Sequence, residues 1–98
     1  MTITTNLNDK SLEIALAGRL DTMTAPELEA ELSKTMGAAD TLTLDFSKLD
    51  YISSAGLRVL LSAHKVMSSK GGMKITNVNE IVQEVFEVTG FSDILTIE

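Results

Sequence analysis

Residues 41–72 read TLTLDFSKLDYISSAGLRVLLSAHKVMSSKGG, and this stretch decides the fold. Thr41–Phe46 puts Leu42, Leu44 and Phe46 on one side of a short strand, because side chains alternate along a half-buried strand with a period of two. Residues 48–51 read as a connection. Residues 54–70 then read as a helix, closed by Gly71 and Gly72. Its polar stripe is narrow: Arg58, Ser62, Lys65 and Ser69. Leu57, Val59, Leu60, Leu61, Ala63, Val66 and Met67 cover the larger part of its circumference. A surface helix needs an apolar stripe of only roughly 100° or somewhat more. This helix is therefore expected either to lie between the sheet and neighbouring helices or to share an apolar flank with a partner. A strand over Met73–Val78 completes a strand–helix–strand unit, whose parallel strands call for a right-handed crossover.

Working outward, residues 2–7 and 11–18 read as two strands around a turn at Asn8, Asp9 and Lys10, with Leu12, Ile14 and Leu16 alternating against Glu13 and Ala15. Residues 25–36 read as a helix. Thr24 and Glu27 have capping-box spacing, Pro26 sits where a helix start tolerates it, and Gly37 follows as the expected C-cap. Beyond Met73–Val78, the residues Ile81, Val82, Val85, Phe86 and Val88 gather on one helical face and Glu80, Gln83, Glu84 and Glu87 on the other. Asn77 with Glu80 gives another capping-box spacing, Gly90 ends the helix, and Ile94–Ile97 is the last strand. The expected fold class is α/β: one domain over residues 1–98, a mixed sheet with flanking helices, in the order ββαβαβαβ.

Composition excludes several function classes. Eight Lys and Arg against 14 Asp and Glu leave a net charge of −6, so the chain as a whole repels polyanions and no nucleic-acid partner is expected. There is no cysteine, which excludes thiol catalysis and the common zinc clusters, and a single histidine makes poor material for a catalytic metal site. No Walker loop or GxGxxG occurs, and no cofactor is expected. No apolar run reaches the ~18 residues of a membrane span, and no basic leader precedes an apolar run, so a cytoplasmic protein without membrane insertion is expected. His64 falls within the apolar arc of the second helix and reads as a core or half-buried side chain. Asp21, Asp45 and Asp50 read as turn and cap acids.

Ser53-Ser54-Ala55-Gly56-Leu57 reads as a helix start, with serine at the cap and small residues after it. Small residues leave the first backbone N–H groups open to solvent. A phosphate there would meet the positive end of the helix without obstruction.

Four pieces of sequence make a pattern: Gly18-Arg19-Leu20-Asp21 after the second strand, Leu44-Asp45-Phe46-Ser47 on the third, the run from Tyr51 to Leu60 entering a helix, and Val88-Thr89-Gly90-Phe91 before the last strand. In this order and spacing the chain resembles, over essentially its whole length, the STAS-domain anti-sigma factor antagonists. The resemblance implies a mixed sheet with flanking helices and no catalytic activity. It implies as partner an anti-sigma factor that is also a serine protein kinase, whose binding frees the sigma factor. It further implies phosphorylation of a serine at the start of the second helix, which dissociates the complex, and a serine phosphatase that resets it. Aligned on Gly56 and Leu57, Ser54 takes the place of the phosphorylated serine, ahead of Ser53, and Ala55 takes the second hydroxyl position. Ser53 stands where the family has an acid, and Asp21 matches the family acid near the acceptor. The expected partner surface combines the loop of Asp21, Thr22 and Met23 with the helix start of Ser53, Ser54, Ala55, Gly56 and Arg58, the rest of the helix arc being core. The same fold also admits a non-switching STAS interaction subunit of a transporter or lipid-trafficking complex. It admits as well a STAS domain that binds a small ligand or nucleotide at the second helix start.

Overall fold

Leu12, Ile14, Leu16 and Leu20 are buried on one side of the second strand, while Ser11, Glu13 and Arg19 on the other side are exposed. The same alternation marks the first half of the third strand, at Leu42, Leu44 and Phe46. The computed structural model describes residues 1–98. Its elements are β1 (Thr2–Asn8), β2 (Ser11–Leu20), α1 (Ala25–Thr35), β3 (Thr41–Ile52), α2 (Ser54–Met67), β4 (Met73–Thr76), α3 (Glu80–Thr89) and β5 (Thr96–Ile97). Short 3-10 turns follow α1 and α3. The sheet has the spatial order β1-β2-β3-β4-β5, with β1 antiparallel to β2 and the remaining neighbours parallel. The expected mixed sheet and the order ββαβαβαβ are both present.

The register lines up Leu12, Leu42 and Met73 in one row and Ile14, Leu44 and Ile75 in the next. These side chains share a single core with Leu28 and Leu32 of α1, with Leu57, Val59, Leu60, Ala63 and Met67 of α2, and with Val82 and Phe86 of α3. All three helices therefore cover one face. The other face carries Thr2, Thr4, Glu13, Arg19, Thr41, Lys74 and Thr96 and stays polar and open. Parallel strands are usually covered on both faces and read as continuous apolar runs. Here one-sided covering is what makes the alternation legible.

Several local expectations are corrected. Residues 48–51 are not a connection: β3 runs on to Ile52, and two register shifts against β2 each insert one extra residue into it. The bulges space the buried residues Phe46, Leu49 and Ile52 three apart instead of two, which hides the strand from a period-two reading. The α1 start has no side-chain cap from Thr24. Its hydroxyl donates to the Arg19 carbonyl at 2.7 Å instead. Gly37 does not end α1, which passes into the 3-10 turn Met36–Ala38. The carbonyls exposed there accept from the Lys70 ammonium, at 2.9 Å from Met36 and from Ala39. The α2 helix ends at Met67, β4 ends at Thr76, and β5 is only Thr96–Ile97. Asn79, not Asn77, caps α3, while Gly90 at φ 82° supplies the left-handed C-cap as expected. His64 is half-buried, with Nδ1 enclosed and unpartnered.

Candidate functional site

In a parallel sheet the strands end at one edge, and the loops that leave them meet there. Leu20 and Ile52 are register partners at the ends of β2 and β3. The next residues, Asp21 and Ser53, are thereby brought side by side, and the Ser53 amide donates to the Leu20 carbonyl at 2.9 Å.

The Asp21 loop is held by its own carboxylate. Oδ1 accepts from the amides of Met23 at 3.0 Å and Thr24 at 3.2 Å, while the backbone carbonyl of Asp21 accepts from the Ala25 amide at 2.8 Å. Arg19 approaches Oδ2 to 3.8 Å and lays its guanidinium 4.5 Å from the centre of the Tyr51 ring. Desolvation opposes the charge on Asp21, but the Thr24 and Met23 amides, the Thr24 hydroxyl and Arg19 outweigh it. The carboxyl is held below its ordinary value. Asp45 is likewise held down, first by the Asn77 amide that donates to Oδ1 at 3.0 Å, then by the Ser47 amide at 2.9 Å. Neither carboxyl is raised, as a general acid requires. Both fasten loops.

The α2 start has an unusual economy. Ser53 occupies the N-cap with extended backbone, φ −101° and ψ 176°, yet its side chain makes no cap hydrogen bond. Its Oγ is buried and has no partner. Ser54, one residue on, is exposed on the first turn. The first N–H groups of a helix have no intrahelical acceptor, and here no side chain supplies one. Gly56 is buried beneath them. A Cβ at this position would stand 2.7 Å from Leu20 Cγ and 2.8 Å from Ile52 Cγ1, so only glycine lets α2 sit this close to the strand ends.

The sequence grouped Asp21, Thr22, Met23, Ser53, Ser54, Ala55, Gly56 and Arg58 as one surface. Thr22, Ala55 and Arg58 do line one groove, of about 220 Å³, between the α1 and α2 starts, together with Ala25, Pro26, Glu29, Val59 and Ser62. Ser54, Arg58, Thr22 and Met23 are exposed, Met23 at 83%. Gly56 and the Ser53 hydroxyl lie below the surface, because close packing of helix on sheet needs them there. The Arg19–Tyr51 pair was not foreseen. Its signal was the bulged register, which no alternation pattern reveals.

A family model described as "Mlab, STAS domain" matches residues 3–96. The chain is 37% identical to BtrV of Bordetella bronchiseptica, which carries an anti-sigma factor antagonist name, over 99% of this chain and 85% of that protein. The chain belongs to the STAS-domain anti-sigma factor antagonist family. It is also similar to the anti-sigma-B factor antagonist of Bacillus subtilis, at 29% identity over 92% of this chain and 84% of that one. An anti-sigma factor antagonist from Mycobacterium paratuberculosis superposes with a TM-score of 0.88, at 20% identity, over 98% of this chain and 83% of the other. Bacillus SpoIIAA, solved in its phosphorylated form, superposes with a TM-score of 0.76, at 20% identity, over 99% and 91%. These structural likenesses establish a common fold. Anti-sigma factor antagonists are non-enzymatic regulators. No helix of this STAS chain is long and apolar enough to cross a membrane.

Proposed function

We propose that this chain binds an anti-sigma factor that is also a serine kinase, releases the sigma factor held by it, and is switched off by phosphorylation of Ser54. One observation carries the reading: two adjacent serines at the α2 start, one with an enclosed hydroxyl and the other exposed to solvent. A kinase must reach the hydroxyl it modifies, and of these two serines only Ser54 offers one. The uncapped N–H groups and the helix dipole around Ser54 tolerate an added anion, so a phosphate there leaves the fold intact.

The switch is electrostatic. Phosphorylation adds about −1.5 to −2 charges to a neutral contact. The charge arrives one residue beyond Ser53, whose amide is bonded to the Leu20 carbonyl at the foot of the Asp21 loop, and the Asp21 carboxyl is held below its ordinary value, so that it is ionised at neutral pH. A partner placed against both must desolvate like charges. A hundredfold loss of affinity takes only about 2.8 kcal/mol, comparable to one or two charge-assisted hydrogen bonds. The partner surface in this reading is the exposed part of the Asp21–Met23 loop with Ser54, Ala55 and Arg58. A serine phosphatase restores it, and the cycle runs in the cytoplasm.

The test is incubation with the partner kinase and ATP, followed by site mapping by mass spectrometry and calorimetric binding. Phosphate is expected on Ser54. Ser54→Ala should bind as the parent does, and Ser54→Asp at least tenfold more weakly, less than phosphate itself because its charge is smaller. Modification confined to Ser53, or equal affinity of the two variants, overturns the switch. A partner that binds but never phosphorylates the chain favours a non-switching docking subunit.

A further inference from the structure

The α3 helix does not bury the apolar face that its sequence advertises. Val82 and Phe86 enter the core, and Phe46 meets Phe86 with ring centres 6.5 Å apart. Ile81 and Val88, which belong to the same apolar set, turn outward and are 59% and 80% exposed. With the half-buried Val85 between them they fall at i, i+4 and i+7, one stripe along the helix. Ile94, 46% exposed, follows the 3-10 turn packed against α3.

Charge on α3 and on the segment that follows it is of one sign. Residues 1–74 contain nine acids and eight bases, and residues 75–98 contain five acids and no base at all. Nearly the whole net charge of −6 therefore sits in the last quarter of the chain. Glu80, Glu84 and Glu87 stand on α3 itself and none of them has an ion-pair partner.

We propose that the outer face of α3 is a second docking surface, taking a basic amphipathic helix of a partner protein whose apolar ridge covers Ile81, Val85 and Val88. An apolar stripe with carboxylates beside it fits the helix-on-helix mode of recognition, in which apolar anchors at i, i+4 and i+7 are flanked by complementary charge. A second copy would set carboxylates against carboxylates, and an anionic lipid surface would be repelled in the same way. The proposal does not depend on the role of Ser54.

The probe is an 18-residue model peptide with leucines at i, i+4, i+7 and i+11 and lysines on the flanks. Binding is measured by calorimetry and mapped by amide chemical shifts on the whole chain. The parent should bind, with shifts gathered over residues 80–94. Ile81→Ser with Val88→Ser keeps both the net charge and, closely, the helix propensity, and should weaken binding at least tenfold. Glu84→Lys, which leaves the apolar stripe intact, should weaken it as well and keeps the test open if the double variant unfolds. Ser54→Asp should bind the peptide as the parent does. Unchanged binding by the folded double variant, shifts centred elsewhere, or a concentration-dependent dimer in sedimentation that the double variant loses would each overturn the proposal.

Discussion

The two well-defined helix starts of this protein, at α2 and α3, begin from nearly the same backbone. Ser53 has φ −101° and ψ 176°, and Asn79 has φ −79° and ψ 171°. Only the side chains differ in use. Asn79 Oδ1 accepts from the Val82 amide at 2.8 Å, and its Nδ2 donates to the Leu49 carbonyl at 2.7 Å, which seals the α3 start and ties it to β3. Ser53 does neither. The α2 start is held from beneath, by the Ser53 amide on the Leu20 carbonyl and by the close approach at Gly56. A start that serves structure alone is closed by its cap residue. A start held from below keeps its N–H groups facing outward, available to whatever charge arrives.

The largest expected effect tests whether packing rather than capping holds α2. Leu60 is fully buried, and Leu60→Ala should lower stability by about 2–5 kcal/mol in urea unfolding; a loss below 1 kcal/mol would mean that α2 is not anchored through its core face. Next is the cap itself. Asn79→Ala should cost about 1 kcal/mol, the usual value of an N-cap side chain. A pH series probes the Asp21 loop, which follows β2 next to the α2 start. Its carboxyl is lower in the folded protein than its ordinary 3.8, so the stability it contributes is fully present above about pH 4 and is lost as pH falls through the folded value. Asp21→Asn should therefore be less stable than the parent at pH 6 and indistinguishable from it in strong acid. A constant difference at every pH would assign the loop's stability to packing instead. The smallest effect is the sharpest contrast: Ser53→Ala removes an enclosed hydroxyl that bonds to nothing and should leave stability unchanged or slightly raised. A loss as large as that of Asn79→Ala would erase the distinction between the starts.

Most of the architecture was legible because the sheet is covered on one face only, so that Leu12, Ile14 and Leu16 or Leu42 and Leu44 announce their side by simple alternation. Legibility failed where two structures share one stretch of chain. Bulges in β3 changed the spacing of Phe46, Leu49 and Ile52, and a strand looked like a loop. Capping-box spacing pointed to Thr24 and Asn77, but both residues are engaged elsewhere: the Thr24 hydroxyl accepts from the Asp21 amide and donates to the Arg19 carbonyl, while Asn77 has a left-handed φ of 59° and donates its side-chain amide to Asp45. The candidate site is proposed from the sequence as a set of residues, and the sequence says nothing of their depth. No spacing rule tells that the Ser53 hydroxyl and Gly56 lie under the surface while Ser54 stands on it. The outward turn of Ile81 and Val88 was hidden for a related reason: a helical wheel shows which residues share a face, not how wide a strip the sheet will accept.

In the proposed switch, the packing at Gly56 bears on how quickly a phosphate on Ser54 would act. With no room for even a methyl group between helix and strands, α2 lies tightly packed on the strand ends. A modification at its first turn would alter the local field without a change of shape. A kinetic record of the switch should then contain no slow conformational phase. The response would follow the covalent step directly, and the altered affinity would be expressed mainly as a shorter residence time of the partner rather than as a change in the rate of encounter.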